Sequence, residues 1–178
     1  SKSRIFDALK ELLQGKDLDK VTVRELVERC GLSRQGFYYH FQDIADVLKW
    51  KISWELERGM ERGLHAKSLE EPLVAMAKTM EEHGVVLRNL MRSTKLRDRL
   101  MPVLIDAVQE SIRPLLYRYI DAVSLDAERR EWLVTFLAYG IVGIVAEKSG
   151  ESGFTPEFIV REIELLLEAR FASASRDL

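Results

Sequence analysis

The side chains best suited to chemistry lie close together, with Arg34, Gln35, Gly36, Tyr38 and His40 all within seven residues. A guanidinium can bond N7 and O6 of guanine, a carboxamide can bond adenine, and a glycine lets a helix approach a groove floor closely. Tyr38 and His40 suit phosphate oxygens, and Ser33 and Tyr39 complete the outward set. Thr22 and the free amides of the helix it opens offer one more phosphate site. No catalytic constellation accompanies these residues. His40, His65 and His83 are far apart, none is paired at i, i+4, and no spaced cysteine or carboxylate motif joins them, so neither a metal nor a cofactor is expected. His65 and His83 read as solvated surface residues, and the single cysteine, Cys30, as core. Without a glycine-rich phosphate loop or a serine elbow, the chain is not expected to be an enzyme.

Only a compact pair of helices could present such a set on one tip. Residues 22–40 have that layout. Thr22 and Glu25 form a capping box, Val23, Leu26, Val27 and Cys30 make an inward stripe, and Gly31 ends the helix in a tight turn. Ser33 then caps a second short helix on which Phe37 and Phe41 face the core with Leu32, leaving the candidate residues outside. A preceding helix carries Ile5, Phe6, Leu9, Leu12 and Leu13 on one face, and residues 16–20 form a polar connector.

The 178 residues are 47% hydrophobic and 31% charged, which excludes a disordered or collagenous chain. Prolines at 72, 102, 114 and 156, with no useful apolar/polar alternation, predict an all-α fold of about nine helices. A long fourth helix, 43–63, places Trp50 and Trp54 on a neighbouring face from its apolar stripe, and 64–69 reads as a linker. Further helices are expected around 72–83 and 85–91, then 96–120 with a kink or division near Arg113, then 126–148 and 155–171, ahead of a frayed tail. The division expected is a DNA-binding domain at 1–48 and a C-terminal domain at 49–178.

Net charge is −2, so a nucleic-acid partner must be met by a local patch, and residues 1–50 hold nine Lys plus Arg against eight Asp plus Glu. The longest uncharged run, 132–146, is too short to cross a bilayer. One cysteine fits a reducing cytosol, and the start at Ser1 without a methionine suggests a trimmed or replaced N-terminus.

The string from Val21 to Phe41, followed by Gln42-Asp43, resembles the DNA-binding signature of TetR-family transcriptional regulators, in register from Ile5 to Leu48. The stretch Phe37 to Ile44 with Leu48 and Trp50 is also similar to a branch that includes regulators of dihydroxyacetone-kinase operons. The resemblance implies a cytoplasmic homodimer whose paired third helices read a palindromic double-stranded operator, usually as a repressor modulated by a small-molecule effector or a protein co-regulator. It places Arg34, Gln35 and Gly36 at bases and Thr22, Tyr38 and His40 at phosphates. The chain departs from the family at Ile44, where many members carry a backbone-contacting lysine. Trp54, Met76, Met80, Leu87, Met91, Leu104, Tyr117, Phe136 and Tyr139 are the expected effector pocket, and Leu133, Leu137, Gly140, Ile144, Ile159, Ile163 and Leu166 the expected dimer interface. The alternative is a dimeric helical scaffold, controlled by a protein partner, with no operator binding of its own.

Overall fold

The second, third and fourth helices begin where their side-chain caps dictate. A computed structural model describes residues 1–65, 70–120, 125–148, 151, 157, 158, 160–162 and 165. Helix α1 (Lys2–Leu12) buries Ile5, Phe6 and Leu9. Helix α2 (Val23–Cys30) starts at the Thr22–Glu25 capping box and stops at Gly31, whose φ of 65° is a left-handed conformation that glycine adopts without a Cβ penalty. Helix α3 (Arg34–His40) is capped by Ser33, whose hydroxyl oxygen accepts the Gly36 N–H at 2.9 Å. Helix α4 (Ile44–His65) opens on a second reciprocal cap, in which Asp43 accepts the Asp46 N–H at 2.8 Å and Asp46 accepts the Gln42 N–H at 3.1 Å.

Four more helices follow: α5 (Glu70–Glu82), α6 (Gly84–Arg92), α7 (Arg97–Ile120) and α8 (Ala127–Lys148). With a short 3-10 turn at Leu18–Lys20 they make up the regular structure, and there is no strand among the described residues. The fold is all-α. Helix α7 is not divided near Arg113, since it runs through both Pro102 and Pro114. An internal proline costs about 3 kcal/mol, but Ile112, Leu115 and Leu116 around Pro114 are all buried, and each contributes about 1.5–3 kcal/mol. Packing therefore outweighs the lost hydrogen bond. The expected helix at 155–171 lies almost wholly outside the described residues, as does the tail. The described positions 157, 158, 160–162 and 165 are helical, with Val160 buried.

Two cores share one seam. The first gathers Ile5, Leu9, Leu26, Phe37 and Val47, and it is completed by Val86 and Leu90 of α6 and Leu100 of α7. The second gathers Ile112, Leu116, Val134, Ala138 and Val142, while Met101 and Leu104 pack against both. Polar bonds reinforce the seam. Residues 16–20 are not merely a polar connector, because Leu18 is buried and its N–H donates to Asn89 at 3.1 Å. The neighbouring Asp19 carboxylate accepts the Ser93 hydroxyl and both the N–H and the hydroxyl of Thr94, each of the latter at 2.8 Å. Those donors, Ser93 foremost, hold the Asp19 carboxyl down to about 2. Arg99 on α7 reaches Asp43 at 2.9 Å, so the corner between α6 and α7 grips the N-terminal helices at both ends.

Candidate nucleic-acid interface and adjoining cavity

Helix α3 divides by face as its spacing predicts. Phe37 is fully buried and Phe41 nearly so, whereas Arg34, Gln35 and Tyr38 are exposed and Tyr39 is 83% exposed. Gly36 is half-buried, and a Cβ there would sit 3.3 Å from the Ser33 hydroxyl, so glycine also protects the cap. The Tyr38 ring meets Phe37 edge-on at 5.4 Å, which fixes its base while the ring projects outward. His40 is half-buried, and its Nε2 lies 2.7 Å from the Ser1 hydroxyl.

Thr22 is more committed than its sequence position suggests. Its N–H and its hydroxyl both donate to Glu25, at 3.0 and 2.8 Å. Lys16, with Thr22, holds the Glu25 carboxyl down to about 2, so the cap is anionic at neutral pH. A phosphate approaching Thr22 must displace one of these bonds or bind the exposed edge of the threonine. Ile44 points inward instead, packing against the first core.

A cavity of about 140 Å³ opens between α4, α5, α6 and α7. It brings together Met76, Met80, Leu87 and Leu104 of the expected set. The other five do not line it. Trp54 stacks beside Trp50 with ring centroids 6.4 Å apart, and the Lys51 ammonium sits 3.9 Å from its ring. Met91 packs on the second core, and the Tyr117 hydroxyl donates to Glu131. Phe136 and Tyr139 lie on the outer face of α8, 69% and 61% exposed.

The expected interface residues on α8 do not share one exposed face. Leu137 is buried in the second core and Leu133 packs against it, while Gly140 is half-buried and Ile144 exposed. The outward apolar face carries Trp132, Phe136, Tyr139 and Ile144, with Gly140 and Gly143 open to space. Helix α8 is apolar around most of its circumference, so periodicity could not choose its phase. Ile159, Ile163 and Leu166 lie outside the described residues.

Sequence reading missed the polar wall of the cavity. Glu55 accepts from Lys51 at 2.7 Å and from His83 at 3.2 Å, and all three side chains are at most 21% exposed. His83 is thus not a solvated surface residue. Its Nε2 faces Glu55, its ring meets Phe6 edge-on at 5.3 Å, and its Nδ1 is buried without a partner among the described residues. Burial raises the Glu55 carboxyl, but the bonds from His83 and Lys51 outweigh it and bring it to about 2. The i, i+4 spacing of Lys51 and Glu55 on an otherwise apolar stripe was the available signal. Phe6 and Leu48 also line the cavity, so it touches the N-terminal helices directly.

No group of His, Cys, Asp and Glu able to hold a metal occurs among the described residues, and none of their helices is long and apolar enough to cross a membrane. Comparison with known proteins agrees with the layout. Residues 5–49 match the sequence model of the bacterial regulatory proteins of the tetR family. No curated protein matches the sequence closely enough to be called a relative. Among solved structures, the chain is similar to the dihydroxyacetone kinase operon activator DhaS, at 15% identity over 95% of this chain and 94% of that one, with a TM-score of 0.74. It is similar to the repressor AlkX from Dietzia sp. strain DQ12-45-1b, at 17% identity over 96% and 97%, with a TM-score of 0.59. It is also similar to FadR from Bacillus subtilis, solved with stearoyl-CoA, at 19% identity over 94% and 97%, with a TM-score of 0.61. At these identities the likeness speaks for the fold. All three are regulators of transcription.

Proposed function

We propose, from the match of residues 5–49 to the tetR-family model and the whole-chain likeness of fold to solved regulators, that this protein is a sequence-specific, dimeric transcriptional regulator acting in the cytoplasm. The observation that carries the reading is the face division of α3. Its buried Phe37 and Phe41 lock the helix, and Arg34, Gln35 and Tyr38 are presented outward beside a glycine. Arg34 and Gln35 read base edges in the major groove, while Tyr38, Tyr39, His40, Ser33 and Thr22 position the helix on phosphates.

A single three-helix head buries too little surface to discriminate a genomic site, so two copies act together on a palindrome. The outward apolar face of α8 is the surface we assign to that pairing, because four large exposed apolar side chains beside two open glycines suit close helix approach. An effector in the cavity modulates operator binding, since the cavity wall includes Phe6 and Leu48. The test is selection of bound duplexes from a random library at two salt concentrations, using purified protein. An enriched palindrome supports the reading. Salt-labile binding with no enrichment, with or without added effectors, overturns it in favour of a scaffold.

A further inference from the structure

Apart from the His83 Nδ1, which is buried without a partner among the described residues, the polar groups that line the cavity can be taken one by one. Glu55 engages both Lys51 and His83 Nε2 through its Oε1, and Lys51 is further held against the face of Trp54. Thr79 and Ser111 donate their hydroxyls to carbonyls one helical turn back, Ala75 at 3.0 Å and Ala107 at 2.9 Å. Arg62 is different. It lines the cavity, is exposed at the far end of α4, and has no carboxylate partner among the described residues.

The lining track on α4 runs from Leu48 through Ile52, Glu55 and Gly59 to Arg62. At 1.5 Å per residue that is a slot about 21 Å long. Its inner end abuts Phe6, and beyond the Lys51, Glu55 and His83 wall the lining is mainly apolar, including Leu56, Met76, Met80 and Val108. A volume of about 140 Å³ suits a small hydrocarbon body. At Gly59 a Cβ would meet the Ser111 hydroxyl at 3.5 Å, an ordinary van der Waals contact, so α7 lies close to α4 along this part of the slot.

We propose that the cavity takes a linear monocarboxylate of medium chain length, its tail along α4 toward Phe6 and its carboxylate paired with the Arg62 guanidinium. This rests on the effector reading above and names the ligand's chemical class. A carboxylate headed inward would face the negative charge of Glu55, which already engages the Lys51 ammonium and the His83 Nε2. At the outer end it meets a planar cation, without a carboxylate partner among the described residues, that can bond both of its oxygens. An alcohol of equal length would bury the same methylenes without using Arg62.

The experiment is calorimetric titration of the full chain with octanoate and octanol, in the wild type, Arg62→Gln and Met80→Trp. Octanoate should bind the wild type about tenfold more tightly than octanol, the gain expected of a charge-assisted bond. Arg62→Gln, an exposed change that leaves the core alone, should bring octanoate down to the octanol level and leave octanol unchanged. Met80→Trp fills the slot and should abolish both. Equal affinity for octanoate and octanol, octanoate binding indifferent to Arg62→Gln, persistence in Met80→Trp, or no binding at all overturns the proposal. Release of a selected duplex by octanoate is read separately. Arg62-dependent binding without release upholds the ligand class and sinks its effector role, whereas lack of operator binding leaves the titration interpretable.

Discussion

Replacing Glu55 by Gln isolates the charge at the centre of the cavity wall. The amide keeps the shape and one acceptor oxygen, so the variant should fold, but Lys51 and His83 then face a neutral group. Burial works against the Glu55 carboxylate, and the His83 and Lys51 bonds more than reverse that, lowering it from an ordinary 4.5 to about 2. Each tenfold change in proton affinity is worth about 1.4 kcal/mol, so the ionised state contributes on the order of 2–3 kcal/mol after allowance for its partial solvent contact. A carboxyl held low in the folded protein is stabilising above its unfolded value and loses that contribution as pH falls toward its folded value. The stability difference between wild type and variant should therefore be largest above pH 5 and shrink steadily between about pH 5 and pH 2. Denaturant titrations of both proteins at a series of pH values measure it, and Asp19 and Glu25, also held low, cancel in the difference. A difference that stays constant from pH 7 to pH 3 would refute the argument, since packing rather than charge would then be the source.

Other outcomes follow from the same geometry. Arg34→Ala or Gln35→Ala should cost about 1–3 kcal/mol on the selected operator and relax one position per half-site, whereas equal losses on scrambled duplex would argue against base reading. Tyr38→Phe should weaken all sequences alike in the same assay, and a sequence-selective loss would remove it from the phosphate set. Gly143→Leu places its side chain in open space, so thermal stability of the single chain should hold while sedimentation at micromolar protein shows a lighter species. Unchanged mass would point the dimer elsewhere. Gly31→Ala puts a Cβ on a left-handed residue and should lower unfolding free energy by roughly 1–2 kcal/mol. An unchanged denaturation midpoint would mean the turn relaxes freely.

The N-terminal helices were readable because their signals are local. Thr22 with Glu25, Gly31, and Ser33 with Gly36 each act within four residues, and Phe37 and Phe41 share a face by spacing alone. Helix α8 defeated the same method. With apolar residues on nearly every side, Leu137 and Phe136 look equivalent in sequence, and only packing in the second core against α5, α6 and α7 decides that Leu137 turns inward. His83 was misread for a related reason. Its partner Glu55 is 28 residues away on another helix, and no local pattern reports that pairing. Pro114 signalled a division that the burial of its neighbours overrides.

The corner where α6 meets α7 bears on how such proteins can be recombined. A chimera that joins the first 48 residues to a different body would carry the reading helix but leave behind Val86, Leu90 and Leu100, which close its core. It would also strand Asp19 without Ser93 and Thr94, and Leu18 without Asn89. Head and body are contiguous blocks in the gene but interlocked parts in space. A transplantable head is therefore discontinuous in sequence, residues 1–48 together with the 86–100 corner, and exchanges of operator specificity are better made by altering α3 in place than by swapping the block.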